Sequence, residues 1–349
     1  MFLTHRGGTC RRAGSHGVKA VTITQRGLNQ VSDRKLRGQF YNRLEIATQQ
    51  SWVNDLSFAV SSDSEGESFA DLDRPPTLQP KQSGSSPARP SLHTWQIENE
   101  EFESSIGIPE KIVRRDKTSM INRYMDQLAV RTTTHWRKLL TALVETGHQV
   151  TISRDNATFF SASHAEGDFS AQKNLVTANE IAALNVTTPT APTAVEMADA
   201  VAALIAHFFT FKDADGEPFN EDAMSFLVML PQGFANVAVK AFEKELLNGG
   251  SGTEQNPLVN GRYTVNYAIN PRLTWTDSMA VFRTDTANKP FMRQSETLPD
   301  GDADDIRVTV LGMDSEYRKL NDEVLMKVYA SRNVGFTHSW HTALKATLS

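Results

Sequence analysis

The chain has 349 residues, 39% hydrophobic and 22% charged, an ordinary globular composition, long enough for one large or two smaller domains whose core needs no metal or disulfide. Its one cysteine, Cys10, excludes an intrachain disulfide and a cysteine-rich zinc site; no apolar run approaches the roughly 18 to 20 residues that span a bilayer, so the protein is expected to be soluble and intracellular where it is made, with no membrane partner. The net charge of −5 is unevenly spread: up to Arg43, nine basic side chains face a single acid, Asp33, which puts +8 on this arm and −13 on the remainder.

The arm carries Arg6, Arg11, Arg12, Lys19, Arg26, Arg34, Lys35 and Arg37. Gly7, Gly8, Gly14, Gly17 and Gly27 disfavour a long regular element through about residue 40. A basic arm on an acidic body reads as an extended segment against something negative, either nucleic acid or the acidic face of a neighbouring subunit. A solvated tail is the plainer alternative. The arm is expected to be held in place and not removed as a propeptide.

A short helix is expected around Leu44 to Val53. Leu56, Phe58 and Val60 then alternate as a strand. The polar excursion from Ser61 to Ser91 holds Pro75, Pro76, Pro80, Pro87 and Pro90. Such a length of loop does not belong inside a compact domain. Strand-like spacing resumes at Trp95 and Ile97 and runs on through Phe102, Ile106 and Ile108, which predicts an extended hairpin arm projecting from the body.

The strongest helix is predicted from about Asp116 to Thr146, with Ile121, Tyr124, Met125, Leu128, Trp136, Leu139, Leu140 and Leu143 on one stripe and Gly147 at its end. A second runs from Thr193 to about Phe209, Thr193 and Glu196 having capping-box spacing. A short strand, Phe226 to Leu230, stops at Pro231. A third helix is expected from Phe234 to Leu247, ended by Asn248-Gly249-Gly250. Tyr263, Val265, Tyr267 and Ile269 alternate as a half-buried strand. Ser278 to Arg283, Arg307 to Leu311 and Val324 to Tyr329 are further strands, and Val334 to Leu344 fits strand or helix. The fold class is α+β.

The motifs of chemistry are missing. There is no phosphate-binding glycine loop, nucleophile elbow or paired-histidine zinc motif. The Asp213-Ala214-Asp215-Gly216-Glu217 segment lacks the order of a calcium loop and reads as a polar turn. Asp300, Asp302, Asp304 and Asp305 read as a solvated acidic turn rather than a divalent-ion site. His338 and His341 read as packing or hydrogen-bonding residues. His164 with Asp168 is a chance spacing, and Cys10 with His16 lacks a rigid support. No catalytic, cofactor-binding or metal-binding residue is assigned, no cofactor is expected, and the chain is not expected to be an enzyme. Two arms that cannot bury themselves do imply neighbours, because an exposed ladder edge is a liability unless another subunit covers it.

Four segments carry a resemblance. Trp95 to Ile108 reads Trp-x-Ile-x-Asn-x-x-Phe-Glu-x-x-Ile-x-Ile. Further on stands Phe159-Phe160-Ser161-x-Ser163-His164-x-x-Gly167 with Asn174. Asp215-Gly216-Glu217-Pro218 precedes Phe226 to Pro231, and Phe282-x-Thr284-Asp285 precedes Lys289-Pro290-Phe291-x-x-Gln294. In order and spacing these resemble the Mu-like phage major head subunit family over about residues 40 to 345. The departures are a proline- and serine-rich hairpin tip and a longer, more basic N-terminal arm.

The resemblance implies the Hong Kong 97-type capsid fold. It implies an N-terminal arm over 1–54, an extended hairpin loop over 55–112, and a peripheral domain with a spine helix over 113–175. An axial domain over 176–300 and a return to the peripheral sheet over 301–349 would complete it. The expected function is a major capsid protein that self-assembles into the icosahedral head shell around the double-stranded DNA of a tailed phage. Its partners would be itself in hexamers and pentamers, neighbouring capsomers through hairpin and arm, the portal protein and the packaged DNA; a scaffold, protease or decoration protein is left open. It would be located in the virion, after assembly in the host bacterial cytoplasm. The alternatives are another phage structural ring component, of the tail or connector, and a DNA-binding enzyme using the basic arm.

Overall fold

A computed structural model describes residues 36–45, 52–72, 75, 92–115, 120–151, 155–249, 252–259, 261–298, 305–312 and 315–349. The basic residues from Arg6 to Lys35, Cys10, His16, most of the polar excursion, and Asp300, Asp302 and Asp304 lie outside these residues.

Helix α1, over 36–45, sets Phe40 into a core with Leu36, Tyr41 and Leu44 around it. Helix α2 (Trp52–Leu56) leads into strand β1 (Ser57–Ser62), followed by β2 (Gly66–Leu72), β3 (Leu92–Glu98) and β4 (Glu100–Pro109). Most of the helix expected around Leu44 to Val53 lies outside the described residues; its two ends fall in α1 and α2. Helix α3 (Glu110–Arg115) precedes the long helix α4 (Met120–Thr146), whose 27 residues span about 40 Å at 1.5 Å each. Gly147 follows it because the Phe160 ring lies against its Cα: a Cβ there would stand 2.6 Å from Phe160 Cδ2.

Strands β5 (His164–Glu166), β6 (Phe169–Gln172) and β7 (Leu175–Val176) come next. Helix α5 (Ala194–Phe208) begins at the capping box read in the sequence, with Thr193 accepting from Glu196 N and the Glu196 carboxylate accepting from Thr193 N. The buried strand β8 (Ser225–Pro231) and helix α6 (Ala235–Glu243) follow. The helix expected to reach Leu247 stops at Glu243, and the chain becomes a hairpin of β9 (Leu246–Gly249) and β10 (Gly252–Gln255). Gly249 and Gly252 are opposed in this hairpin, Gly252 taking φ +136°. Then come β11 (Thr264–Asn270), β12 (Ser278–Arg283), β13 (Phe291–Glu296), β14 (Ile306–Leu311), helix α7 (Glu316–Asn321), β15 (Glu323–Phe336) and β16 (Ala343–Thr347). The ambiguous Val334–Leu344 stretch holds the end of β15, a 3-10 turn at Trp340–Thr342 and the start of β16.

Two five-stranded sheets organise the chain. In the first, β15 is the axis: β4 lies antiparallel along one edge, β14 and then β13 along the other, and β1 runs parallel to β13. The second has the order β11-β8-β12-β16-β7. Its strands β8 and β12 are buried almost throughout, as strands covered on both faces must be. Helix α4 joins the two cores. Met125, Leu128 and Ala129 pack with Phe40, Val308, Val310 and Met326, whereas Leu140 and Val144 pack into the larger core around the second sheet. Between them the hydroxyls of Thr132 and Thr133 bond back to the carbonyls of Leu128 and Val130.

Candidate assembly interface

The hairpin is built from the root outward. Asn99 N donates to Glu65 O at 2.8 Å and Asn99 Nδ2 to Ser64 O at 3.0 Å, which closes the base of the ribbon. Gln294 Nε2 donates to Ile97 O and to Asn99 Oδ1, and Asn333 Nδ2 to Glu98 O, so strands β13 and β15 hold that base. Strands β2 and β3 then pair antiparallel from Gly66↔Glu98 to Leu72↔Leu92, a ladder about 23 Å long at roughly 3.3 Å per residue.

One face of this ribbon is apolar near the root. Ile97 is buried over Gly335, and Trp95 meets His338 edge-on at 4.6 Å and Phe69 at 5.7 Å. The outer end differs, with Leu92 63% exposed. Among the described residues β2 and β3 pair only with each other, so both outer ladder edges stay open. The strands expected to flank the excursion, Leu56–Val60 and Trp95–Ile108, do not pair with each other: β1 joins β13 and β4 joins β15, whereas the ribbon is Gly66–Leu72 with Leu92–Glu98, its first strand inside the stretch read as loop; its tip lies outside the described residues.

A second apolar surface lies at the start of α4. Ile106, Ile108, Pro109, Ile112, Ile121 and Tyr124 line a groove of about 210 Å³. Ile112, Met120 and Tyr124 on its rim are 44%, 47% and 51% exposed.

The residues weighed for chemistry pack and hydrogen-bond within the fold. His164 is fully buried, its Nδ1 2.9 Å from Asp155 Oδ2 and its ring stacked 4.1 Å from Trp340; Asp168, its neighbour in sequence, is not the partner. His341 stacks on Phe219 at 4.0 Å, and His338 lies under Trp95. Asp213 Oδ1 accepts from the backbone N–H of Asp215 and Glu217, the polar turn foreseen. Asp305 is no member of a solvated turn: it stands 2.5 Å from Arg332, a guanidinium 1% exposed and stacked over Trp136 at 4.6 Å. Among the described residues no group of three or more His, Cys, Asp or Glu is placed to hold a metal, and no helix is long and apolar enough to cross a membrane. Of the basic arm only Arg37 and Arg43 are described, both on α1.

The motif residues sit at joints. Phe102 packs edge-on against His135, Glu103 pairs with Lys327, and Phe159 stacks on Phe336 at 4.5 Å. Asn174 donates to Phe159 O and to Trp340 O. Although burial pushes the Asp285 carboxyl up, hydrogen bonds from Arg283 and Met224 N hold it below the usual carboxylate range. Lys289, lowered by burial, donates to Asn54 O.

The family model described as the Mu-like prophage major head subunit gpT matches residues 30–189. Among solved structures, the capsid of the cyanophage P-SCSP1u is similar at TM-score 0.53 and 10% identity, over 85% of this chain and 87% of that one. The capsid of a native GTA particle is similar at TM-score 0.53 and 12% identity, over 86% and 91%. The mature capsid of bacteriophage PhiM1 gives TM-score 0.52 at 10% identity, over 86% and 87%. A search of curated proteins finds no match. The structural likenesses show a Hong Kong 97-type phage capsid fold, and residues 30–189 carry the pattern of the Mu-like prophage major head subunit family.

Proposed function

We propose that this subunit assembles as hexamers and pentamers into the closed icosahedral head shell of a tailed phage, around double-stranded DNA. The observation that carries this reading is the β2/β3 ribbon. Its root is fixed by Gln294 and Asn333, its ladder edges are open among the described residues, and Leu92 is exposed at its far end. A rigidly mounted ribbon with open edges gains most when laid over an identical neighbour. The apolar groove beside α4 supplies a second contact surface, and many modest interfaces then sum over a closed lattice.

In this reading the first sheet and α4 form the peripheral part and the second sheet with α5 and α6 the axial part. Strand β13 from 176–300 serves the peripheral sheet, and β16 from 301–349 serves the axial one. The arm over 1–54, with Arg6, Arg11, Arg12, Lys19, Arg26, Arg34, Lys35 and Arg37, lies across neighbours or against the packaged DNA. The portal protein occupies a vertex. The mature location is the virion, after assembly in the host cytoplasm.

The test shortens the ribbon without touching its root. Replacing residues 70–94 by Asn-Gly joins the opposed pair Phe69 and Trp95 through a two-residue turn suited to a hairpin. The variant should fold with an unchanged thermal midpoint and yield no closed shells. Shells formed as efficiently as by the intact chain would overturn the reading.

A further inference from the structure

A cavity of about 280 Å³ opens between α4 and the first sheet. Arg131, His135 and Lys138 line it from α4, and Arg332, Phe102 and Glu103 from the sheet. The three α4 residues fall at i, i+4 and i+7, which puts them on one stripe of the helix. Phe102 closes one side, its ring 4.4 Å from that of His135.

The charges do not balance within the cavity. Glu103 is committed to Lys327, and Arg332 to Asp305. Arg131 and Lys138 are exposed and have no ion-pair partner among the described residues. Two positive charges are therefore left over at the mouth. Deeper in, the Arg332 guanidinium is 1% exposed, and its Nε–H has no hydrogen-bond partner among the described residues. A buried donor without an acceptor is destabilising, so this position calls for an acceptor beyond the described residues.

We propose that this cavity binds a phosphate dianion, held by Arg131 and Lys138 at the mouth and by Arg332 within. Phosphate carries a charge of about −1.5 to −2 near pH 7, which matches the two unbalanced cations. A planar guanidinium flanked by a second cation is an arrangement suited to its oxygens. The phosphate is either free in solution or part of a nucleic-acid backbone; the chemistry of the site is the same.

Titration of the full chain with inorganic phosphate at constant ionic strength, followed by calorimetry and by phosphorus NMR, tests this. The expected result is saturable binding, weakened at least tenfold in Arg131→Gln/Lys138→Gln and unchanged in Lys240→Gln/Lys319→Gln, which removes equal charge elsewhere. Bound phosphate should also raise the pKa of His135, read from its ring proton shifts. Displacement by a short DNA duplex assigns the phosphate to a nucleic-acid backbone, and failure to displace assigns it to the free ion. No saturable binding, or equal loss in both double variants, overturns the proposal.

Discussion

The guanidinium of Arg332 is buried, 1% exposed. It stacks on Trp136, donates to Thr132 O at 3.2 Å, and is neutralised by Asp305 at 2.5 Å. Removing one partner of a buried pair costs roughly 3–5 kcal/mol, because the other charge stays behind. Asp305→Ala should therefore lower the urea midpoint of the disassembled subunit sharply, whereas a change below about 0.5 kcal/mol, typical of the surface, would show the pair to be idle. His135, nearby, is held down to about 4 by burial first and then by Arg332, Lys138 and Arg272. Between that value and its ordinary 6.5 the unfolded chain binds more protons than the folded one. Stability should thus fall as pH drops from 6.5 towards 4, and His135→Gln should flatten that part of the pH profile; an unchanged profile would contradict the assignment. The sequence revealed the motif residues but not their partners. The i+4 interval from His164 to Asp168 reads as chance, since that spacing brings side chains together only on a helix. His164 opens a strand, and its partner Asp155 is reached across a turn.

Elements with one clear period were legible. Helix α4 showed its stripe, α5 its capping box, and β12 its apolar run. Strand β13 was legible only as a motif, because Arg293, Gln294 and Ser295 break any apolar alternation. The Gln294 side chain is buried nonetheless, its Nε2 donating to Ile97 O and Asn99 Oδ1. Helix α6 was overestimated because its apolar spacing continues to Leu246 and Leu247, although the pairing of β9 with β10 takes over there. The joint between hairpin and first sheet depends on Gly335: a Cβ there would stand 2.8 Å from Ile97 Cγ1 and closer still to Cδ1. Gly335→Ala should force β3 off β15 at a cost of about 1–3 kcal/mol, as overpacking does. Thermal unfolding of the subunit measures the cost, and a midpoint equal to that of the unaltered chain would show that Ile97 can move aside freely.

At the scale of the molecule, the two sheets exchange strands, and nothing local announces it. Strand β16 pairs with β12 and β7, and β13 with β1 and β15, across long separations in sequence. Such contacts are fixed by the packing of the whole chain and leave no periodic trace in any short window. The two bodies share α4, so strain at one end can reach the other through a helix about 40 Å long. What composition did reveal was the asymmetry of the chain, a basic arm and a proline-rich excursion attached to an acidic body. The purpose of that asymmetry is tested most directly by electron microscopy of the expressed full-length protein. The account predicts closed shells with subunits at both five-fold and six-fold positions. A monomer that persists at high concentration, or a ring with only six- or twelve-fold symmetry, would contradict it.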